Sequence, residues 1–148
     1  MMTPNEPAET PTVNALLVAE RVYRDGQSGN WIIAGVFNTI TVSQLPWVHD
    51  WMEIFFQVTN VSRPVDLRLH IEHAADANVV VNVGGNIAAP SPLKVIEAKI
   101  TLRYAPFPKA GKYWVQLTSH QQILSQAPLY VLHRRRDETP AAPGPDAP

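Results

Sequence analysis

His70 and Glu72 stand two residues apart in Val65-Asp66-Leu67-Arg68-Leu69-His70-Ile71-Glu72. That spacing puts an imidazole and a carboxylate on one face of a strand, as two ligands of a metal ion require. His73, three residues past His70, falls on the opposite face, so the two histidines cannot share an ion. Asp66 and Arg68 belong to the same stripe as His70 and Glu72, and such a polar stripe reads as the solvated side of a strand. His49, His120 and His133 have no partner evident in sequence. Asp25, Asp50 and Asp76 each stand alone in a turn, without the Asp-x-Asp spacing that would gather oxygens around calcium. They suit hydrogen bonds to turn amides instead.

Nucleophilic chemistry has no better footing. There is no Gly-x-Ser-x-Gly elbow, and Ser119-His120 are merely neighbours, which does not align an imidazole with the hydroxyl. Gly84-Gly85-Asn86 reads as a tight turn without the lysine and following helix of a phosphate loop. Arg134-Arg135-Arg136 is followed at once by Asp137-Glu138, and three arginines alone make few phosphate contacts. With no cysteine, disulfides, thiolate zinc sites and cysteine catalysis are excluded. The expectation is therefore a protein that is not an enzyme, with no metal and no cofactor.

The aromatic residues give a different signal. If Met52, Ile54, Phe56 and Val58 face a core, Trp51 and Phe55 face outward, as does Trp114 on its own strand. Trp47 is placed in the loop before Trp51. Large outward aromatics on neighbouring strands form an apolar patch, and such patches mark partner sites unless the 38–50 connection folds over them. Trp47, Trp51, Phe55 and Trp114 are the candidate binding residues.

The elements that position these residues follow a period of two. Val65 to Glu72, Met52 to Thr59, Ile96 to Tyr104 and Lys112 to Thr118 all alternate apolar with polar. Asn14 to Arg24 and Trp31 to Phe37 are apolar on both sides, Val79 to Val83 is a valine run, and Ile123 to Leu132 carries Pro128, which suits an edge or a bulge. Turn chemistry separates them at 25–30, 60–64, 76–78, 84–85 and 108–111. About eight strands with no helix to supply a crossover predict a single antiparallel β-sandwich, a closed barrel being the alternative.

The chain has 148 residues, 45% hydrophobic and 17% charged, with a net charge of -1. One domain fits that length, and no overall field draws it to nucleic acid or anionic lipid. Seven of the 14 prolines fall in the first eleven and last nine residues. Residues 1–12 and 134–148 read as disordered tails around a domain at 13–133. No apolar run is long enough to span a membrane, and Met1-Met2-Thr3-Pro4-Asn5-Glu6 does not open like a signal peptide. A cytoplasmic location is expected.

Ala15-Leu16-Leu17-Val18-Ala19-Glu20-Arg21-Val22-Tyr23-Arg24-Asp25, Gly29, and Ile32-Ile33-Ala34-Gly35-Val36-Phe37-Asn38 form a distinctive opening. With Pro108-Lys109-Ala110-Gly111-Lys112-Tyr113 and Pro128-Leu129-Tyr130-Val131 near the end, the chain resembles a family of small uncharacterised bacterial β-sandwich proteins. The resemblance implies a β-sandwich of unknown function and brings no catalytic residues. The function expected is a protein–protein interaction module or self-associating subunit, its partner an unknown protein or a second copy, with no nucleic acid and no membrane. A small-ligand or carbohydrate-binding domain using the outward aromatics is the alternative.

Overall fold

A computed structural model describes residues 10–135. Among them are nine strands: β1 (Thr12–Arg24), β2 (Trp31–Val36), β3 (Thr39–Val42), β4 (Trp47–Thr59), β5 (Val65–His73), β6 (Val79–Ile87), β7 (Ile96–Phe107), β8 (Gly111–Ser119) and β9 (Gln122–His133). They form two packed sheets, ordered β2-β1-β4-β7 and β3-β9-β8-β5-β6. The β-sandwich is as the alternation predicts, with one strand more. Short β3 lies inside the 38–50 connection and pairs with β9 in parallel, the sole departure from antiparallel pairing among the described strands. Four residues are too few for a period of two to stand out.

The clean alternations become the two inner faces. Met52, Ile54 and Leu102 of the four-stranded sheet pack against Leu69, Ile71, Tyr113 and Val115 of the other, and Phe56 and Val58 join Leu67 and Leu117 in a second buried group. On β5 the polar stripe does stay on the outer side, where Arg68 approaches Asp66 at 3.7 Å. His73 faces inward and stacks edge-on to Tyr113 at 4.9 Å.

Three local features depart from the sequence reading. Gly84 and Gly85 lie inside β6 and not in a turn. Gly84 sits opposite Arg68, where a Cβ would come within 2.5 Å of the Leu67 carbonyl oxygen, so close strand approach explains the glycine. Pro128 lies in a strand with neighbours on both sides, yet β3 joins β9 only from Tyr130 onward, so no ladder on that side needs the missing amide. The third is an inversion in β7. Leu102, Ala105 and Phe107 all belong to the same core cluster although their parity differs, and Tyr104 between them is exposed with φ 60°. Beyond this point the inward side of β4 passes from Met52 to His49 and Trp47. His49 stacks on Phe37, and Trp47 packs on the core and opens β4, not a loop.

The domain edges also reach further than composition implied. Pro11 is buried, Thr12 pairs with Thr59, and the Arg134 amide donates to the Val42 carbonyl. The remainder of the two proline-rich segments lies outside the described residues.

Gly35 on β2 has φ 72°, and a Cβ there would meet the Glu20 carboxyl group at 2.7 Å. Gly35→Ala is expected to lower stability by about 1–2 kcal/mol, the cost of left-handed backbone for an L residue. Urea unfolding measures it, and unchanged stability would show that β2 relaxes out of the left-handed backbone at this position.

Candidate functional site at one end of the four-stranded sheet

The four candidate aromatics do not share a face. Trp51 and Phe55 lie on the outer side of β4, Trp47 points the other way past the inversion, and Trp114 belongs to the outer side of the other sheet, opposite Glu72 and Pro128. Alternation assigns a face to each residue but not a sheet to each strand, so Trp114 is no neighbour of Trp51. Its ring carries the Lys112 ammonium at 3.9 Å.

Phe55 is not exposed either. It is buried with Ala19 and Val22 beneath Trp31, whose ring lies 5.7 Å away, and the Arg24 guanidinium stacks on Trp31 at 4.4 Å. The cover is β2 and not the 38–50 connection. Trp51 is half-buried by a different route. It stands directly opposite Arg103, and Arg21 reaches it from β1; their guanidinium carbons lie 5.5 and 5.0 Å from the indole centroid. Long arginine stems lie along apolar rings while the charged heads stay in water, so the expected bare patch is an arginine-clad one.

None of Arg21, Arg24 and Arg103 pairs with a carboxylate among the described residues. Arg21 donates to the Glu20 carbonyl, Arg24 to the Gly29 carbonyl and Arg103 to the Tyr104 hydroxyl. These contacts leave three cations un-neutralised around two tryptophans. This is the basic and aromatic juxtaposition that sequence alone did not reveal, because it depends on register across β1, β4 and β7.

Beside Trp51 runs an open groove of about 490 Å³ lined by Glu20, Arg21, Trp47, His49, Asp50 and Trp51. The Trp47 Nε1–H donates to His49 Nδ1 at 3.3 Å. Burial pushes the His49 imidazole below its ordinary value, against the opposing pull of Asp50. A donor on Nδ1 favours the same neutral form.

Below the groove, on the outer side of β4, Glu53 is buried. Its carboxylate accepts the Val22 amide at 2.9 Å, the Thr101 hydroxyl at 2.6 Å and the Lys99 ammonium at 2.8 Å, and Lys99 also donates to the Val22 carbonyl at 2.6 Å. The ladder between β1 and β4 runs out at Ala19 and Glu53, and this side chain takes over where it stops. Burial pushes the carboxyl up, but Lys99, Thr101 and the Val22 amide outweigh that and hold it at about 2. Glu53 thus fixes β1, β4 and β7 together under Trp51. Among the described residues no three His, Cys, Asp or Glu side chains converge as a metal site would need, and no helix is long and apolar enough to cross a membrane.

Residues 14–132 match the profile of a family of unknown function, DUF6941. The chain belongs to this family. No curated protein is significantly similar in sequence. Among solved structures, a β-D-glucoside glucohydrolase from Trichoderma reesei aligns with 82% of this chain at 12% identity and TM-score 0.45, and the chain spans 19% of that protein. The alkylpurine DNA glycosylase AlkC from Pseudomonas fluorescens aligns over 82% of this chain and 30% of its own, at 9% identity and TM-score 0.45. An immunoglobulin-like protein from Pseudomonas aeruginosa aligns over 85% of this chain and 99% of its own, at 7% identity and TM-score 0.41. Likenesses this distant carry no chemistry over to the DUF6941 chain.

Proposed function

We propose that this DUF6941 domain is a non-catalytic interaction module that binds another protein through the groove end of its four-stranded sheet. The observation that carries the reading is Trp51, held by two arginines without carboxylate partners at the lip of a groove that also contains Trp47. Tryptophan and arginine dominate binding hot spots, and stacking fixes them before a partner arrives. The cations select carboxylate-bearing segments.

Affinity capture from a lysate of the source cells, quantified by mass spectrometry, tests this with wild type, Trp51→Ala and Trp114→Ala. Proteins retained by wild type and by Trp114→Ala should be held at least about thirtyfold more weakly by Trp51→Ala, a hot-spot-sized loss. Identical profiles for all three would refute the reading. Glu20 and Asp50 beside Trp47 favour a second reading, a carbohydrate in the same groove. A glycan panel that quenches tryptophan fluorescence in wild type and not in Trp47→Ala would support it.

A further inference from the structure

The four sheet edges differ in how they are defended. β3 has four residues, β2 has six and bends at Gly35, and β7 carries Glu97, Lys99, Arg103 and Pro106 with a left-handed Tyr104. Short length, charge, proline and bulges are the devices that stop one edge from pairing with another. β6 has only a bulge at Val80, near its start, where Ile71 faces Val81 and Glu72 faces Val79. Its nine residues, Val79-Val80-Val81-Asn82-Val83-Gly84-Gly85-Asn86-Ile87, include no charge, no proline and no positive φ.

Behind this edge the sandwich is open. A cleft of about 380 Å³ lies between β6 and β7, with Phe56, Leu67, Ile100 and Leu117 on its walls. Gly85 accounts for the opening. It stands opposite Leu67, as Val83 stands opposite Leu69 and Val81 opposite Ile71, so it occupies an inward position. A Cβ at Gly85 would meet nothing within 4 Å. One place in the inner face of β6 has no side chain and no neighbour filling it.

We propose that β6 is a self-pairing edge, through which two copies of this chain join their five-stranded sheets antiparallel about a two-fold axis at Val83. That register sets Val81 of each copy opposite Gly85 of the other and turns its side chain toward the vacant position. The added strand lies over the cleft and covers it. A strand without charge meets its own copy with no like-charge opposition, and a two-fold interface requires such self-complementarity. This interface is on the opposite sheet from the Trp51 groove and independent of the function proposed there.

Light scattering over a hundredfold concentration range tests the pairing, with thermal melts to confirm folding. Wild type and Trp51→Ala should both pass from monomer to dimer. Gly85→Leu, which fills the vacant position from within, should stay monomeric without melting earlier. Asn82→Lys and Asn82→Glu, whose like charges face their copies diagonally, should each move the midpoint to about fivefold higher concentration. Their equimolar mixture should return it to the wild-type value or below. A wild type that is monomeric throughout, a dimeric Gly85→Leu, or a mixture no better than its components overturns the proposal. If monomeric wild type enhances N-phenyl-1-naphthylamine fluorescence and Gly85→Leu does not, the cleft serves a small apolar ligand instead.

Discussion

Glu53→Ala should remove about 3 kcal/mol of stability, because it deletes the charged acceptor that the Val22 amide, the Thr101 hydroxyl and the Lys99 ammonium share. Lys99 is part-exposed and can turn to water, but the Val22 amide is buried where the β1–β4 ladder has ended. The same site sets an acid response. Glu53 is held at about 2 in the folded chain against its ordinary 4.5, so its folded pKa is depressed. Its contribution is complete above about pH 4.5 and is lost as pH falls towards 2, amounting to about 3 kcal/mol. Asp76 is also held at about 2, chiefly by Lys109, so wild type alone does not isolate one carboxylate. Comparison with Glu53→Gln does. Urea unfolding at intervals from pH 6 to 2.5 should show wild type losing stability faster than the variant, with the two converging in acid. Parallel curves would mean that the carboxylate is not the linked group.

Phe107→Ala should cost about 4 kcal/mol, in the range for truncating a buried aromatic. Phe107 is fully buried past the inversion in β7, and its ring meets Tyr113 edge-on at 5.1 Å and 88°. Tyr113 in turn meets His73 and anchors its hydroxyl on the Lys109 carbonyl at 2.7 Å. Removing Phe107 opens a void beside a ring that is fixed at both ends and so cannot fall into it. Denaturant titration should show the midpoint falling at unchanged slope. Tyr113→Phe, which keeps the ring and loses one hydrogen bond, should cost about 1 kcal/mol. A Phe107→Ala cost no larger than that would mean that this end of the sandwich repacks.

Much of the scaffold is readable from single residues, because β5 and most of β7 bury one face more deeply than the other, and β8 alternates apolar with polar residues although both its faces are covered. What escapes the sequence depends on neighbours in space. The four-residue β3 is visible only through its pairing with β9. Gly84 looks like a turn until Arg68 lies beside it. Tyr104 gives no warning that it will reverse the faces of β7, since its residue type suits a strand and its left-handed backbone belongs to the packed end. For the site, alternation rightly turns Trp51 outward. Its importance comes from Arg103 directly across β4–β7 and Arg21 across β1–β4, and cross-strand register is absent from a period of two. Phe55 lies beneath Trp31 of β2 and Trp114 on the other sheet, and alternation shows neither the covering strand nor the sheet to which a strand belongs.

The points where the chain enters and leaves the sandwich carry a mechanical consequence. Thr12 lies beside Thr59 at the far end of β4, while His133 reaches the Ser43 carbonyl just before β4 begins. The 13 residues of β4 separate these points, roughly 40 Å of extended strand. Tension applied through the two flanking segments therefore runs along the strands, perpendicular to the rungs of both sheets. Rows of hydrogen bonds then share the load in shear and are not peeled apart one by one.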